Sequence, residues 1–516
     1  MYCFQCEQGA GGACVKVGAC GKPALVGDLH DELFHVAQRV AATTDAALQH
    51  EEYLEAALFA TMTNVNYDAT EVAVLIRQGR EIAAAAKASG GAVIREFPPI
   101  STRERLDLHG KDLVGMQEIL GAGIKGLAAI SRQSRALGRV SPRVGPFLVE
   151  ALNLLAKPAT PAETLLDAGL RCGDVALEAM EILDQVNHGH FGHPEPTEVA
   201  MGHCPGQCIL VSGHELDQLE RVLEQTAGLG INVYTHGEML SAHGYPQIKH
   251  HPHLAGHYGG AWHDQRESFA IFPGAVVMTG GCLVPPLASY RERMFTVGAT
   301  RHAELQHLAD GDFRPAIAAA QAMPGFSDTH HASRHRVGFG HRATLGVVDL
   351  MAGAVREGAI KRFVLIGGCD GPTSGRDYYS DLAAALPRDW AVLTLGCGKF
   401  RVLGHSGGNI GSLPRLLDVG QCSDSFSAIK IVGALAEKLG VPATSVPLSM
   451  VLSWHEQKAV TILLALLKLG MRDIRIGPRM PAYVTPAILA VLTEKFGLLP
   501  IASVAEDIHA MAAQAA

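Results

Sequence analysis

The sequence has little charge. Only 18% of its 516 residues are Asp, Glu, Lys or Arg, and cations are the scarcer sign, with 43 Lys and Arg against 51 Asp and Glu. The net charge is −8. A protein that clamps a phosphate backbone needs an excess of positive charge, so nucleic acid is not expected as a main partner. Long unbroken apolar runs are also missing. The longest uncharged stretch lies between Glu267 and Arg291, where Pro273, Gly274, Gly280, Gly281, Pro285 and Pro286 interrupt it. Such a stretch does not make a spanning helix, so no membrane segment is expected. The first residues, Met-Tyr-Cys-Phe-Gln-Cys, lack the basic start and apolar stretch of a secretory signal. The expectation is a reducing, cytoplasmic compartment. No phosphate loop is present, since Gly396-Cys397-Gly398-Lys399 lacks the upstream glycine and no G-x-G-x-x-G opens a helix.

Glycine, cysteine and histidine are plentiful instead: 57, 11 and 25 residues in a chain that is 48% hydrophobic. An odd number of cysteines in a reducing compartment points to metal or redox chemistry rather than a disulfide framework.

Leu29, Leu33, Val36 and Val40 recur at helical spacing, and Ala-rich stretches follow at 81–88 and 151–156. This part reads as a helical bundle. From about residue 203 short apolar runs alternate with amphipathic helices. Strands are predicted at 208–212, 231–235 and 275–279, with a helix at 215–226. The alternation returns after residue 358, with strands at 363–366, 391–395, 447–452 and 474–476 and helices at 426–439, 457–469 and 486–496. A His-rich polar stretch, 329–341, separates the two blocks. Strand–helix alternation argues for parallel sheets covered by helices. The expected architecture is multidomain, α and α/β: a helical domain over 1–203, then α/β domains over 204–357 and 358–516.

Cys3, Cys6, Cys14 and Cys20 follow the spacing C-x2-C-x7-C-x5-C among Gly9, Gly11, Gly12, Gly18 and Gly21. Four thiolates on a short Gly-rich loop can wrap one metal centre. Such ligation suits an iron–sulfur cluster or zinc. Structural zinc usually takes two C-x2-C knuckles, and the single one here favours iron–sulfur.

Ligands of open parallel sheets bind beyond the carboxyl ends of the strands. There the sequence places His214 and Glu215, His236 and Glu238, Cys282, Cys369 and Asp370, Cys397 and Lys399, and His455, Glu456 and Lys458. Cys422 lies just before a helix. Four cysteines with His and Glu in matching places describe a site rather than core filling. Thiolates suit sulfide-bridged iron, while carboxylate and imidazole suit harder, oxygen-bridged iron. A mixed donor set can leave one iron position open for a small substrate. Cys172, Cys204 and Cys208 lack this placement and read as structural. His250, His251, His253, His330 and His331 read as exposed polar residues.

These segments resemble those of the hybrid cluster protein family, also called prismane proteins or hydroxylamine reductases. The matching stretches are Thr63-Asn-Val-Asn66, Val211-Ser-Gly-His214, Tyr234-Thr-His-Gly-Glu-Met239, Tyr258-Gly-Gly-Ala-Trp262 and Cys282-Leu-Val-Pro285. They continue with Ile366-Gly-Gly-Cys-Asp-Gly371, Cys397-Gly-Lys-Phe400, Leu417-Asp-Val-Gly-Gln-Cys422 and Ser453-Trp-His-Glu-Gln-Lys458. The resemblance implies a helical domain followed by two Rossmann-like domains. It implies a [4Fe-4S] cluster on Cys3, Cys6, Cys14 and Cys20, because the compact spacing resembles that type. It also implies a hybrid [4Fe-2S-2O] cluster on His214, Glu238, Cys282, Cys369, Cys397, Cys422 and Glu456, with a persulfide at Cys369. Lys458 would be a proton or charge donor beside it. Of the 25 histidines, only His214 is expected to be a ligand.

The implied activity is reduction of hydroxylamine to ammonia and water, with Glu238, Glu456, Lys458 and Cys369 as catalytic residues and an electron-donor protein as partner. Reduction of nitric oxide to nitrous oxide is the alternative substrate reading. A redox-sensing or nitrosyl-transfer protein is the alternative of another class. A nickel–iron carbon monoxide dehydrogenase shares the architecture, but the Glu238 and Glu456 motifs speak against it.

Overall fold

Helical spacing in the first part of the chain is realised as a bundle. The computed structural model describes residues 1–9, 12–43, 45–88, 101–157, 159–309 and 311–514. Its bundle helices are α1 (Ala24–Ala41), α2 (Glu51–Ala60), α3 (Ala69–Ala88), α4 (Thr102–Ala136), α5 (Val144–Leu155) and α6 (Ala162–Phe191). Leu33, Val36, Ala37 and Val40 share one stripe of α1 and are buried, with Leu29 packed at its edge. They meet Leu54 and Leu58 of α2, Leu120, Ile124 and Leu127 of α4, and Leu148 and Leu152 of α5 in one core. Each of the Leu, Ile and Val side chains contributes about 1.5–3 kcal/mol on burial. By length and composition α4 could cross a membrane, but most of its apolar stretch is buried inside the protein. It bends at Gly110, whose φ of 76° is non-helical.

Two sheets follow. Strands β1 (Thr197–His203), β2 (Gln207–Ser212), β3 (Ile231–His236), β4 (Leu254–His257), β5 (Ala275–Met278), β6 (Met294–Thr296), β7 (Gln306–His307) and β8 (His330–Val337) form the first. Their order is β8-β1-β4-β3-β2-β5-β6-β7. Only the β8–β1 pair is antiparallel. Helix α7 (Leu216–Thr226) buries Leu219, Val222 and Leu223 against this sheet.

The second sheet has β9 (Arg362–Gly368), β10 (Trp390–Leu395), β11 (Leu416–Gly420), β12 (Leu448–Ser453), β13 (Ile474–Gly477) and β14 (Leu498–Pro500). These run in the order β11-β10-β9-β12-β13-β14, all parallel. In local chain order this is 3-2-1-4-5-6, and strands β2 to β7 repeat that order in the first sheet. Each sheet therefore has a topological switch point between its first and fourth strands, β2/β5 and β9/β12.

Every strand expected from the sequence is present, within a residue or two at its ends. The polar stretch expected between the blocks is instead mostly β8, an edge strand of the first sheet. Charged and His side chains suit an edge, where one flank of the strand faces solvent. Strand β1 begins before residue 204 and belongs to the same sheet.

Helix α8 (Ser425–Leu439) follows β11, and α9 (Gln457–Lys468) follows β12. Helix α9 docks into the bundle, where Val460, Leu464 and Ala465 join the core of α4 and α6. The approach is close enough to require Gly126 on α4, since a Cβ there would run into Thr461 Oγ1 and the Lys458 backbone. Thr461 Oγ1 donates to the Gly123 carbonyl at 2.8 Å, fixing the start of α9 and hence Lys458.

Candidate metal centres

The carboxyl ends of seven parallel strands carry the residues that the sequence singles out. His214 follows β2, Glu238 follows β3, Cys282 follows β5 and Cys369 follows β9. Cys397 follows β10, Cys422 follows β11 and Glu456 follows β12. The two sheets bring these ends together at Glu238. Its Oε1 accepts the Cys397 N–H at 3.2 Å and its Oε2 accepts the Cys422 N–H at 2.9 Å. His214 Nε2 lies 3.4 Å from Glu238 Oε2 and 4.0 Å from Cys282 Sγ. Donor atoms of His214, Glu238 and Cys422 all lie within 4.8 Å of one another. Glu456 caps α9 by accepting the Lys458 N–H at 3.0 Å. Cys282 adopts φ 58°, a left-handed backbone that costs a non-glycine residue about 1–3 kcal/mol and turns up at functional sites.

Burial dominates the electrostatics. It pushes the Cys282, Cys397 and Cys422 thiols well above their usual range and Cys369 up to about 12. As bare side chains they stay protonated at neutral pH, and a cationic centre is what would hold them as thiolates. Burial also raises the Glu238 carboxyl, but His214, Lys458 and the Cys422 N–H outweigh it and hold it well below the usual carboxylate range. For Lys458 burial lowers the ammonium, while Cys422, Glu456, Cys282 and Glu238 together raise it well above its ordinary value. Four thiols, two carboxylates and one imidazole, with every cysteine free of disulfides, make a donor set that fits a polynuclear iron–sulfur group.

The N-terminal cysteines form a second, local centre. Cys3 and Cys14 exchange backbone hydrogen bonds of 2.9 and 2.7 Å, and all four thiols line one small cavity with Lys22 and Thr63. The Ala19 N–H points at Cys14 Sγ, 3.3 Å away. Gly21 has φ 85° and packs so tightly on Pro285 that a Cβ would clash with it. This gives the Cys282-Leu-Val-Pro285 segment a second role, as a wall of the loop. Gly11 lies outside the described residues.

The two centres are joined by buried polar contacts that the sequence did not reveal. Arg376 Nη2 donates to Glu7 Oε2 at 2.7 Å, and Arg376 Nη1 donates to the Cys369 carbonyl at 3.2 Å. Gln457 Nε2 donates to the Gln5 carbonyl at 3.1 Å, while Gln457 Oε1 accepts the Thr63 N–H at 3.0 Å. The Trp262 indole donates to the Asp370 carbonyl at 2.7 Å and lies 4.4 Å from the His455 ring.

Other candidates do not enter the site. Asp370 pairs with Arg401 at 2.8 Å, and His236 is bonded to Ser212 at 2.9 Å. Lys399 makes a fully buried pair with Asp418, at 2.7 and 2.8 Å. Cys172 and Cys208 are buried, and Cys204 meets the Tyr234 hydroxyl at 3.4 Å. His250, His330 and His331 are exposed, whereas His251 and His253 are half-buried, His253 bonding Thr226 at 2.9 Å.

A helical bundle with two like-ordered sheets, their switch points converging on thiols and carboxylates, defines a multidomain metalloprotein class. The chain belongs to the Prismane/CO dehydrogenase family, whose model matches residues 1–509. It is 48% identical to a hydroxylamine reductase of Rhodospirillum rubrum, over 99% of both chains. It is 43% identical to a hydroxylamine reductase of Zymomonas mobilis, over 98% of both. Among solved structures it resembles carbon monoxide dehydrogenase IV from Carboxydothermus hydrogenoformans, with a TM-score of 0.60 and 16% identity over 99% of this chain and 92% of that one. A carbon monoxide dehydrogenase from Thermococcus sp. AM4 gives 0.58 and 17% over 99% and 90%. At these identities the likeness concerns the fold alone.

Proposed function

We propose that this protein is an iron–sulfur oxidoreductase that reduces hydroxylamine to ammonia and water, with uptake of two electrons and two protons. The observation that carries this reading is the buried Glu238 carboxylate, which faces the His214 imidazole and accepts the Cys397 and Cys422 amides, with the Cys282 thiol lying against the same His214 ring. Membership of the family and the names of its relatives support it.

In this reading His214, Glu238, Cys282, Cys369, Cys397, Cys422 and Glu456 hold the hybrid [4Fe-2S-2O] cluster, with a persulfide sulfur on Cys369. Cys3, Cys6, Cys14 and Cys20 hold the [4Fe-4S] cluster, next to where an electron-donor protein would dock. When bound, such clusters supply electrons and Lewis acidity at an open iron position. The chain's own side chains handle the protons. Lys458 Nζ delivers one to the hydroxyl oxygen that leaves as water and the Glu456 carboxylate carries the other, while Glu238, held well below the usual carboxylate range, stays ionised against His214 and Lys458. The arginine and glutamine contacts to Glu7 and Gln5 hold the two centres at a fixed separation. With all 11 cysteines free, a reducing compartment suits the protein, and the cytoplasm is the one proposed.

A cavity of about 320 Å³ reaches Cys369 and Cys422 between β9, β12 and helices α6, α8 and α9. Its walls include Leu170, Val432, Leu463 and Met480. This apolar lining favours a small uncharged gas, which is the specific reason to keep nitric oxide as a second substrate.

The test is anaerobic purification with iron, sulfide and nickel quantitation and EPR, then viologen-linked assays with hydroxylamine and nitric oxide side by side. Steady consumption of hydroxylamine by nickel-free protein is expected. Clusters that are reduced without consuming either substrate would overturn the enzyme reading in favour of a redox sensor.

A further inference from the structure

Three histidines outside both cysteine-bearing centres meet where the bundle joins the sheets. His188 lies in the last turn of α6, and His193 follows in the connection to β1. His341 opens the short helix His341–Leu345 that comes just after β8. A ring nitrogen from each lies within 4.8 Å of the other two. The ring centroids of His188 are 4.5 Å from His193 and 5.0 Å from His341.

One buried carboxylate serves two of these rings. Asp184 Oδ2 is 3.4 Å from His188 Nδ1, and Asp184 Oδ1 is 3.4 Å from His341 Nδ1. Ser427 Oγ also lies 3.2 Å from His341 Nδ1. That leaves Nε2 of both rings as the nitrogen available to an ion, the carboxylate–imidazole pairing that orients metal-bound histidines. His193 Nδ1 is buried with no hydrogen-bond partner among the described residues, and such an orphan needs an explanation.

We propose that His188, His193 and His341 form a binding site for a divalent transition-metal ion, zinc being its representative, with Asp184 as the positioning residue. Three imidazoles suit ions of borderline softness such as zinc, nickel and copper, and do not suit magnesium or calcium. Zinc bound by three protein nitrogens keeps a fourth position for solvent. The His188 and His341 side chains are nearly enclosed, and half-buried His193 is the side from which that position can reach water. A bound ion would pin the end of α6 to the segment entering the second sheet. Through Ser427 it would also touch α8, the helix that follows Cys422.

The test uses the iron-loaded protein, so that the cysteine centres are occupied. Zinc is supplied at buffered micromolar free concentration, and the bound metal is counted and examined by zinc K-edge absorption. One zinc per chain is expected, with a nitrogen or oxygen shell at about 2.0–2.1 Å and no sulfur shell near about 2.3 Å. His193→Gln and His188→Gln should each lose that zinc while keeping the iron content of the parent. Asp184→Asn should weaken zinc binding by about 10–100-fold. Zinc should also raise the unfolding midpoint of the parent but not of His193→Gln. Absence of stoichiometric zinc, a zinc–sulfur shell, or parental affinity in either His→Gln variant would overturn the proposal.

Discussion

The two cysteine-bearing centres are built by opposite means. Cys3, Cys6, Cys14 and Cys20 come together because they are close along the chain, on a loop whose Cys14 and Cys20 remain half-buried. The donors from His214 to Glu456 come together only because two parallel sheets of the same order present their carboxyl ends to each other. The first centre depends on a few turns. The second depends on the register of seven strands and on docking of α9 into the bundle. A change in the local loop should therefore stay local, whereas a change beside the convergent centre should reach the whole fold.

The sharpest separation is expected from Glu238→Ala. It removes the acceptor for the Cys397 and Cys422 amides and the anion facing His214. Changes one shell further out cost metal sites about 10–100-fold in activity. On the proposed role of Glu238 as a metal donor, its loss should thus lower hydroxylamine reduction by at least about 100-fold. The N-terminal cluster's EPR signal should persist. Full activity in this variant would refute the assignment of Glu238.

The next effect is on stability. Lys399 and Asp418 are completely buried, and Lys399 also donates to the Gly420 carbonyl at 3.0 Å. Lys399→Met leaves the Asp418 carboxylate without its cation, a loss of about 3–5 kcal/mol. The second sheet carries this pair between Cys397 and Cys422, so guanidinium should release the buried centre's iron at a markedly lower concentration. Cys14→Ser should do less. It should remove the N-terminal signal and that cluster's share of iron, with the buried iron retained and a smaller shift in unfolding midpoint than Lys399→Met gives. An equal loss of buried iron would erase the contrast between the two centres.

That the local centre's four N-terminal thiols gather at one small cavity was legible in the sequence, because it rests on a spacing. The convergent one was legible through a rule, that ligands gather beyond the ends of parallel strands, and His214, Cys282, Cys369, Cys397 and Glu456 obey it. Cys422 obeys it too, although its strand, Leu416–Gly420, was not foreseen; Asp418 and Gly420 disguise an otherwise apolar run. The short strands β4, β6 and β7 were invisible for a similar reason, being two to four residues long. Pairings between distant buried groups leave no periodic trace, so Glu7–Arg376 and Lys399–Asp418 emerged only from the fold. The three histidines were missed because one lies on a helix, one in a connection and one beyond an edge strand. Only the i, i+4 pairing of Asp184 with His188 hinted at them.

The smallest expected effect concerns the seam between the centres. Gln457 follows the donor Glu456 and reaches back to the N-terminal loop, accepting the Thr63 N–H and donating to the Gln5 carbonyl. Its amide also donates to Thr63 Oγ1 at 3.2 Å. Gln457→Leu keeps the bulk of the side chain but strands a buried backbone N–H, which costs about 1–3 kcal/mol. Gln457→Glu keeps the acceptor for Thr63 but buries an ionisable carboxyl with an acceptor facing the Gln5 carbonyl, so its midpoint should also fall below that of the parent. Both variants should retain both clusters' iron. If Gln457→Leu melts like the parent, the Glu7 contacts to Thr373 and Arg376 carry the seam without it. In that case Glu7→Gln, which replaces the buried carboxylate that Arg376 and Thr373 both bond, should take over as the variant that loosens the local loop from the convergent centre.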